Sequence, residues 1–504
     1  MDISIQTLRD KLEPFLYQVG SLHYRFGAGL TKEFPLRAAF ANFPELGEPE
    51  SFLAVREAIG RKATDALERE RLGLLLEFLA GQVEDALCVD AAQAVAALEA
   101  GEPVAVGGER MAFHDALAQL ARSPMRERRA VLEQGLADFL WEHQDPYARL
   151  RESASQAAAR LGYSSYVALR EAVSGDGLMA LAAQCEVVLR QTEDAYRDVL
   201  SYALKKVDPS LRPLPGGAAR KHDLQHALTA PWLAAHYRRE DLMPATLRWL
   251  GEMGFDPYAQ GRIQVDSEER AGKSPRAFVA DLQVPNDIRL VVRLGSGLTD
   301  AFALLHEFGR AMHLAHLPKT ASVEERRLGD PAVSEAYAAS FDHVLLEPAW
   351  HKRYLRLPDA VAQDGARLVA FSNLVLLRRY CARLPFELAL YERGPLRPLA
   401  EAYADRQAAA LMVGVPKGFY LYDVDPHLYA TRYLTAWALE AGLHGQLRTR
   451  FNEDYWRNPA TGRWLQESFA QSGTERAPAV AKAWAGTAPS LEHAAKRLVE
   501  ALNR

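Results

Sequence analysis

Leu304-Leu305-His306-Glu307-Phe308-Gly309-Arg310-Ala311-Met312-His313 is the stretch on which the reading of this chain turns. In the pattern H-E-x-x-H, two histidines one helical turn apart aim both imidazoles at a single Zn²⁺, and the glutamate between them acts as general base. Here His306 and Glu307 are present, but Arg310 stands where the second histidine belongs. Arginine stays protonated in proteins and has no lone pair to offer a metal. The segment reads as a helix. Thr299-Asp300 supplies a start signal, and Phe302, Leu305, Phe308 and Met312 recur at helical spacing. His313 does not replace the missing ligand on geometric grounds. At ~1.5 Å of rise per residue it begins about 10 Å from His306 along the axis, and His316 is farther still.

A second cluster follows: Asp330-Pro331-Ala332-Val333-Ser334-Glu335-Ala336-Tyr337, then Asp342. A carboxylate on a second helix is a common third ligand in zinc sites, which makes Glu335 the candidate. A further carboxylate such as Asp342 can hold a ligand histidine by its other ring nitrogen.

Together these residues resemble the core of the thimet oligopeptidase and oligoendopeptidase F family of zinc metallopeptidases, which carries H-E-F-G-H-A-x-H followed by a glutamate on the next helix. His306, Glu307, Phe308, Gly309, Ala311, Met312 and His313 match as written, and Glu335 matches the third zinc ligand. Arg310 is the single departure within the motif. The resemblance extends upstream through Arg270 to Phe278 and Ile288 to Leu294, and downstream to Asp425-Pro426-His427-Leu428-Tyr429-Ala430-Thr431-Arg432-Tyr433. It implies a mainly α, clam-like oligopeptidase fold with a deep central cleft and a small β-hairpin lining it. It implies zinc as cofactor, short peptides as substrates, Glu307 as base, and Tyr433 and His427 as groups facing the reacting carbonyl. Tyr429 and His313 become substrate contacts by the same resemblance, and the loop carrying Gly414, Gly418 and Tyr420 a mobile substrate cover. Lys273, Arg276 and Arg270 form a candidate substrate patch, with a solvated hairpin rim as the equal alternative.

Composition fits a large globular body. The 504 residues are 49% hydrophobic and 25% charged. A net charge of −5 gives no footprint for nucleic acid. No apolar run reads as a membrane span, and the N-terminus lacks the basic and apolar regions of a signal peptide. Three scattered cysteines, Cys88, Cys185 and Cys381, read as reduced core residues of a cytoplasmic protein.

The organisation reads as a helical N-terminal half over 1–206, a Pro/Gly-rich linker over 207–217, and a metallopeptidase-like half over 218–504 with the motif helix at 299–315. Leu161-Gly162-Tyr163-Ser164-Ser165-Tyr166 marks a helix stop and a new start. Ala277 to Val284 and Ile288 to Leu294 are β-rich runs joined by Pro285-Asn286-Asp287, a hairpin whose edge can pair with an extended peptide.

Arg310 decides between function classes. Without a metal, Glu307 and Glu335 would lie close together with nothing to balance them. A guanidinium supplies a fixed charge and a planar fork suited to carboxylates, so Arg310 is expected to pair with Glu335, Glu307 or both. It cannot activate a water as a Lewis acid does. The first class is a peptide-binding pseudo-peptidase with zinc absent or weakly held, acting alone or beside an active relative. The second is an active zinc metallopeptidase on short peptides. A third is a different hydrolytic or transfer chemistry with Glu307 as base and Arg310 as electrophile.

Overall fold

The computed structural model describes residues 4–61, 65–394 and 397–503. It is mainly helical, with two small sheets among the described residues. The chain divides into two compact units. One comprises the residues up to Val83, Leu233–Ala366 and Thr435–Ala494; the other comprises Glu84–Trp232, Arg367–Leu434 and the residues from Ala495 onward. The units interleave along the chain, so they do not follow the division expected around 207–217. That segment lies inside the second unit, where Leu214 N–H donates to Met412 O at 2.8 Å and Gly217 presses on the Arg212 carbonyl. Its prolines and glycines serve a packed connection.

The first unit carries the motif helix, Leu298–Ala315. Its first turn differs from the expected cap. Gly297, at φ 139°, is the cap residue, a conformation that favours glycine. Asp300 lies inside the helix, and its Oδ1 accepts the Gly295 N–H at 2.7 Å. Of the residues read as its apolar face, Leu305, Phe308 and Met312 are fully buried and Phe302 only partly, while Leu304 and Ala311 complete the buried side. The second helix, Pro331–Asp342, starts with Pro331 in its first turn and Asp330 as cap, the Asp330 side chain accepting from Ala332 N–H. The two helices touch at Gly309. A Cβ there would stand 2.8 Å from Ala338 Cα and 3.0 Å from Phe341 Cβ. Only glycine allows that approach, which brings the two polar faces within hydrogen-bonding reach.

Next to the motif helix is a three-stranded sheet. Asp287–Val291 is central, with Ile263–Asp266 parallel on one side and Phe278–Gln283 antiparallel on the other. The expected hairpin therefore forms, and Ile263–Asp266 joins it, a strand too short to stand out in sequence. The outer strand is not an open edge. Gly20 and Gly27 of the helix Ile5–Gly27 lie against Leu282 and the Phe278 ring. Arg327 donates to Leu282 O at 3.1 Å and Arg326 to Val284 O at 2.8 Å. Peptide pairing along the whole edge is thereby corrected, because the chain's own guanidinium groups satisfy its carbonyls.

In the second unit the stop-and-start signal is as read. Gly162 takes φ 82°, and Ser165 caps Tyr166–Ser174 by accepting the Ala168 N–H. A short hairpin, Val104–Val106 with Glu109–Met111, was not read from the sequence, although Gly107-Gly108 between the strands is a recognisable turn signal. All three cysteines are free thiols. The helix Asp359–Arg393 corrects the reading that no segment has membrane-span length: it passes by length and composition, and 61% of its most apolar window is buried within the protein.

Candidate functional site

The Gly309 contact sets the motif helix facing Glu335 and Asp342. His306 lies between the two carboxylates, with Nδ1 at 2.7 Å from Asp342 Oδ2 and Nε2 at 3.3 Å from Glu335 Oε2. One turn on, Arg310 Nη1 donates to Glu335 Oε1 at 3.2 Å. Glu335 is thus shared by an imidazole and a guanidinium, one on each oxygen. It is 4% exposed, whereas Arg310 reaches outward at 38%. Burial opposes a charged imidazole at His306, but the hydrogen bonds to Asp342 and Glu335 outweigh it and push its pKa up to about 10. Burial raises the Asp342 pKa, and His306 counters it.

Glu307 points elsewhere. The backbone of Val279, on the outer strand, favours the charged form of its carboxylate. Its Oε2 is buried without a hydrogen-bond partner. Burial raises its pKa, and Arg310 and His306 pull the other way.

Behind Asp342 the polar contacts continue in residues that sequence reasoning missed. His343 Nε2 lies 3.7 Å from Asp342 Oδ1, and its Nδ1 lies 2.7 Å from Glu440 Oε2. All three side chains are buried. The histidine directly after Asp342 was the only available signal.

Several expected contacts are placed otherwise. His313 is a core residue, not a substrate contact: it is 6% exposed, with Nδ1 at 3.1 Å from Ser334 Oγ and Nε2 at 2.8 Å from Ser472 Oγ. Burial drives its pKa down to about 3. Two members of the candidate patch, Lys273 and Arg270, are structural, while Arg276 is exposed. Lys273 is buried and donates to Asp266 and to Glu268 O, and Arg270 pairs with Asp266 and Glu268.

His427, Tyr429 and Tyr433 belong to the second unit. There His427 bridges Glu84 (Nδ1 to Oε2, 3.0 Å) and Asp85 (Nε2 to Oδ1, 3.1 Å). Burial works against its charge, yet the two carboxylates raise its pKa to about 10. His427 and Leu428 both take positive φ, at 57° and 52°, a strained backbone for residues with a Cβ. The Tyr433 ring packs 5.0 Å from Tyr429 and 5.2 Å from Tyr380. The loop expected to be a mobile cover is packed instead. Gly414 N–H donates to Ala219 O, Gly418 lies against the Ala137 backbone, and buried Tyr420 donates to Gln144 at 2.7 Å.

The arrangement of these helices is found in known structures. A candidate oligoendopeptidase F from Bacillus anthracis (strain Ames) matches with a TM-score of 0.61 and 15% identity over 99% of this chain and 90% of that one. PZ peptidase A, solved with an inhibitor, matches with a TM-score of 0.67 and 14% identity over 99% and 92%. The fold is that of oligoendopeptidase F. A second candidate oligoendopeptidase F agrees, with a TM-score of 0.66 and 15% identity over 99% and 91%. No family sequence model and no curated protein sequence matches the chain.

The zinc that the motif resemblance attaches to an oligoendopeptidase fold needs two imidazoles and a carboxylate. Here the donors are His306 and Glu335, and the third position holds a cation bonded to that same Glu335. No group of three or more His, Cys, Asp or Glu side chains among the described residues has an arrangement that holds a metal. The donor set does not fit zinc.

Proposed function

We propose that this chain is a peptide-binding pseudo-peptidase: an oligopeptidase fold whose site keeps Glu307 and exchanges the metal for an internal ion pair. The observation that carries this reading is Arg310 bonded to Glu335 at 3.2 Å. A guanidinium in that place neutralises the carboxylate and repels a dication, and it cannot polarise a bound water as a metal does. The peptidase names of the fold neighbours favour short peptides as ligands. Binding by strand addition is confined by Arg326 and Arg327, so recognition falls to the side chains around Glu307 and Arg310.

The test is equilibrium dialysis of the purified protein against zinc, followed by metal quantification, with titration of short unstructured peptides in the presence of a chelator. Peptide binding that persists with chelator, and no retained zinc, is the expected result. One equivalent of zinc retained after dialysis and lost in His306→Ala would overturn it. That outcome restores the alternative, an active zinc metallopeptidase hydrolysing short peptides with Glu307 as general base.

A further inference from the structure

The second unit holds a half-open cavity of about 240 Å³ between the helices Leu178–Gln191, Asp359–Arg393 and Leu399–Leu411. Arg378 lines it. This guanidinium is 2% exposed, and its hydrogen bonds all go to neutral groups. Nε donates to Ala410 O at 2.7 Å, and Nη1 donates to Leu189 O at 2.7 Å and to Thr192 Oγ1 at 2.6 Å. The Tyr196 ring centre lies 4.6 Å away. Among the described residues no carboxylate pairs with Arg378 and its Nη2 has no partner, yet Nη2 is not enclosed. Its two free N–H groups therefore open into the cavity that Arg378 lines. Other buried arginines of this unit have a counter-ion: Arg129 has Asp223 at 3.3 Å, and Arg383 has Glu387 at 2.7 Å. Arginine stays protonated when buried, and a buried charge is costly without a partner. Burial works against the charge of Arg378 and lowers its pKa.

The rest of the lining sets what fits. Its two carboxylates are already balanced: Glu186 pairs with Arg406, and Glu193 pairs with Arg197 at 2.8 Å. Arg190, exposed at the rim, adds only a screened charge. One buried positive charge is left over, which calls for a single negative charge, and Glu186 and Glu193 repel a dianion. Leu189, Ala382 and Ala409 give the cavity apolar surface that suits a hydrocarbon group better than a fully hydrated ion. We propose that this cavity binds a small monocarboxylate with a short apolar chain, its carboxylate accepting from Arg378 Nη2. The carboxylate belongs to a free acid or to a peptide C-terminus. The proposal stands independently of the peptide-binding reading, since none of these residues belongs to the unit that carries Arg310.

The experiment is calorimetric titration of the full-length protein with butyrate, butyramide, inorganic phosphate and N-acetyl-trialanine bearing a free C-terminal carboxylate. Butyrate is expected to bind in the millimolar range, about tenfold more tightly than butyramide or phosphate. The peptide assigns the source of the carboxylate. Butyrate binding more tightly than the peptide identifies a free acid. Tighter peptide binding that is lost in Ala409→Glu identifies a C-terminus. Arg378→Gln should abolish butyrate binding. Ala409 is exposed at the cavity, so Ala409→Glu sets a repelling carboxylate there without burying it, and butyrate should bind about fivefold more weakly or worse. The neutral Ala409→Gln should stay within about twofold of the parent. No binding of butyrate at millimolar concentration would overturn the proposal. So would butyramide or phosphate binding as tightly as butyrate, or a butyrate affinity unchanged in Ala409→Glu. The Ala409 pair decides the question even where Arg378→Gln fails to fold.

Discussion

Arg310 and Glu335 are bonded through Nη1 and Oε1 at 3.2 Å, across the contact between two helices that Gly309 permits. Removing the guanidinium leaves a carboxylate that is 4% exposed without that cation. Such a loss costs several kcal/mol in a fully buried pair. Because Arg310 is partly solvated, Arg310→Ala is expected to destabilise by about 2 kcal/mol. In Arg310→Ala/Glu335→Gln part of the loss should return, since the uncompensated charge is gone. Urea denaturation of both variants checks this, and equal stabilities would contradict it.

Arg310→His should create a second imidazole one turn from His306 and opposite Glu335. The variant is expected to retain zinc after dialysis, where the parent retains none. Gain of hydrolysis on short peptides would locate the change at this position alone. A folded, zinc-loaded, inactive variant would place a further difference elsewhere, with the Tyr433 region the first candidate.

Gly309→Ala tests the helix contact itself. The added methyl would meet backbone at 2.8 Å from Ala338 Cα, where no flexible side chain can give way. A loss of about 2 kcal/mol is expected, with weakened coupling between Arg310 and Glu335. Thermal unfolding measures the first, and a double-mutant cycle with Arg310→Ala measures the second.

The His427 bridge has a pH signature. Its pKa is raised from 6.5 to about 10 by Glu84 and Asp85 against the cost of burial. A raised folded pKa means the stabilisation is complete below the unfolded value and fades as pH rises through about 10. His427→Gln should therefore cost about 2 kcal/mol near neutrality, and the gap from wild type should narrow as pH approaches and passes 10. A gap independent of pH would mean that the ring acts by packing alone. The strained backbone at His427 and Leu428 should relax in the variant, seen as faster amide exchange around them.

The motif helix, the helix carrying Glu335 and the hairpin were legible in the sequence. The motif helix is encoded by its apolar spacing and the hairpin by two β-rich runs around Pro285-Asn286-Asp287. The chemical character of the site was legible for a similar reason: Arg310 has no metal-binding lone pair wherever it lies. Sequence also made Arg310 a partner for a carboxylate without saying which one. That choice depended on the approach at Gly309, which puts Glu335 beside Arg310. Burial was likewise a tertiary matter. His313 and Lys273 carry polar groups suited to binding, but Ser334, Ser472 and Asp266 satisfy those groups inside the protein. His427 sits far along the chain from Glu84 and Asp85, and no local spacing could pair them. Local patterns determine which elements form and which chemistry each side chain can perform. Which groups meet, and which are left with an open valence as Glu307 is, depends on long-range packing that one-dimensional periodicity does not encode.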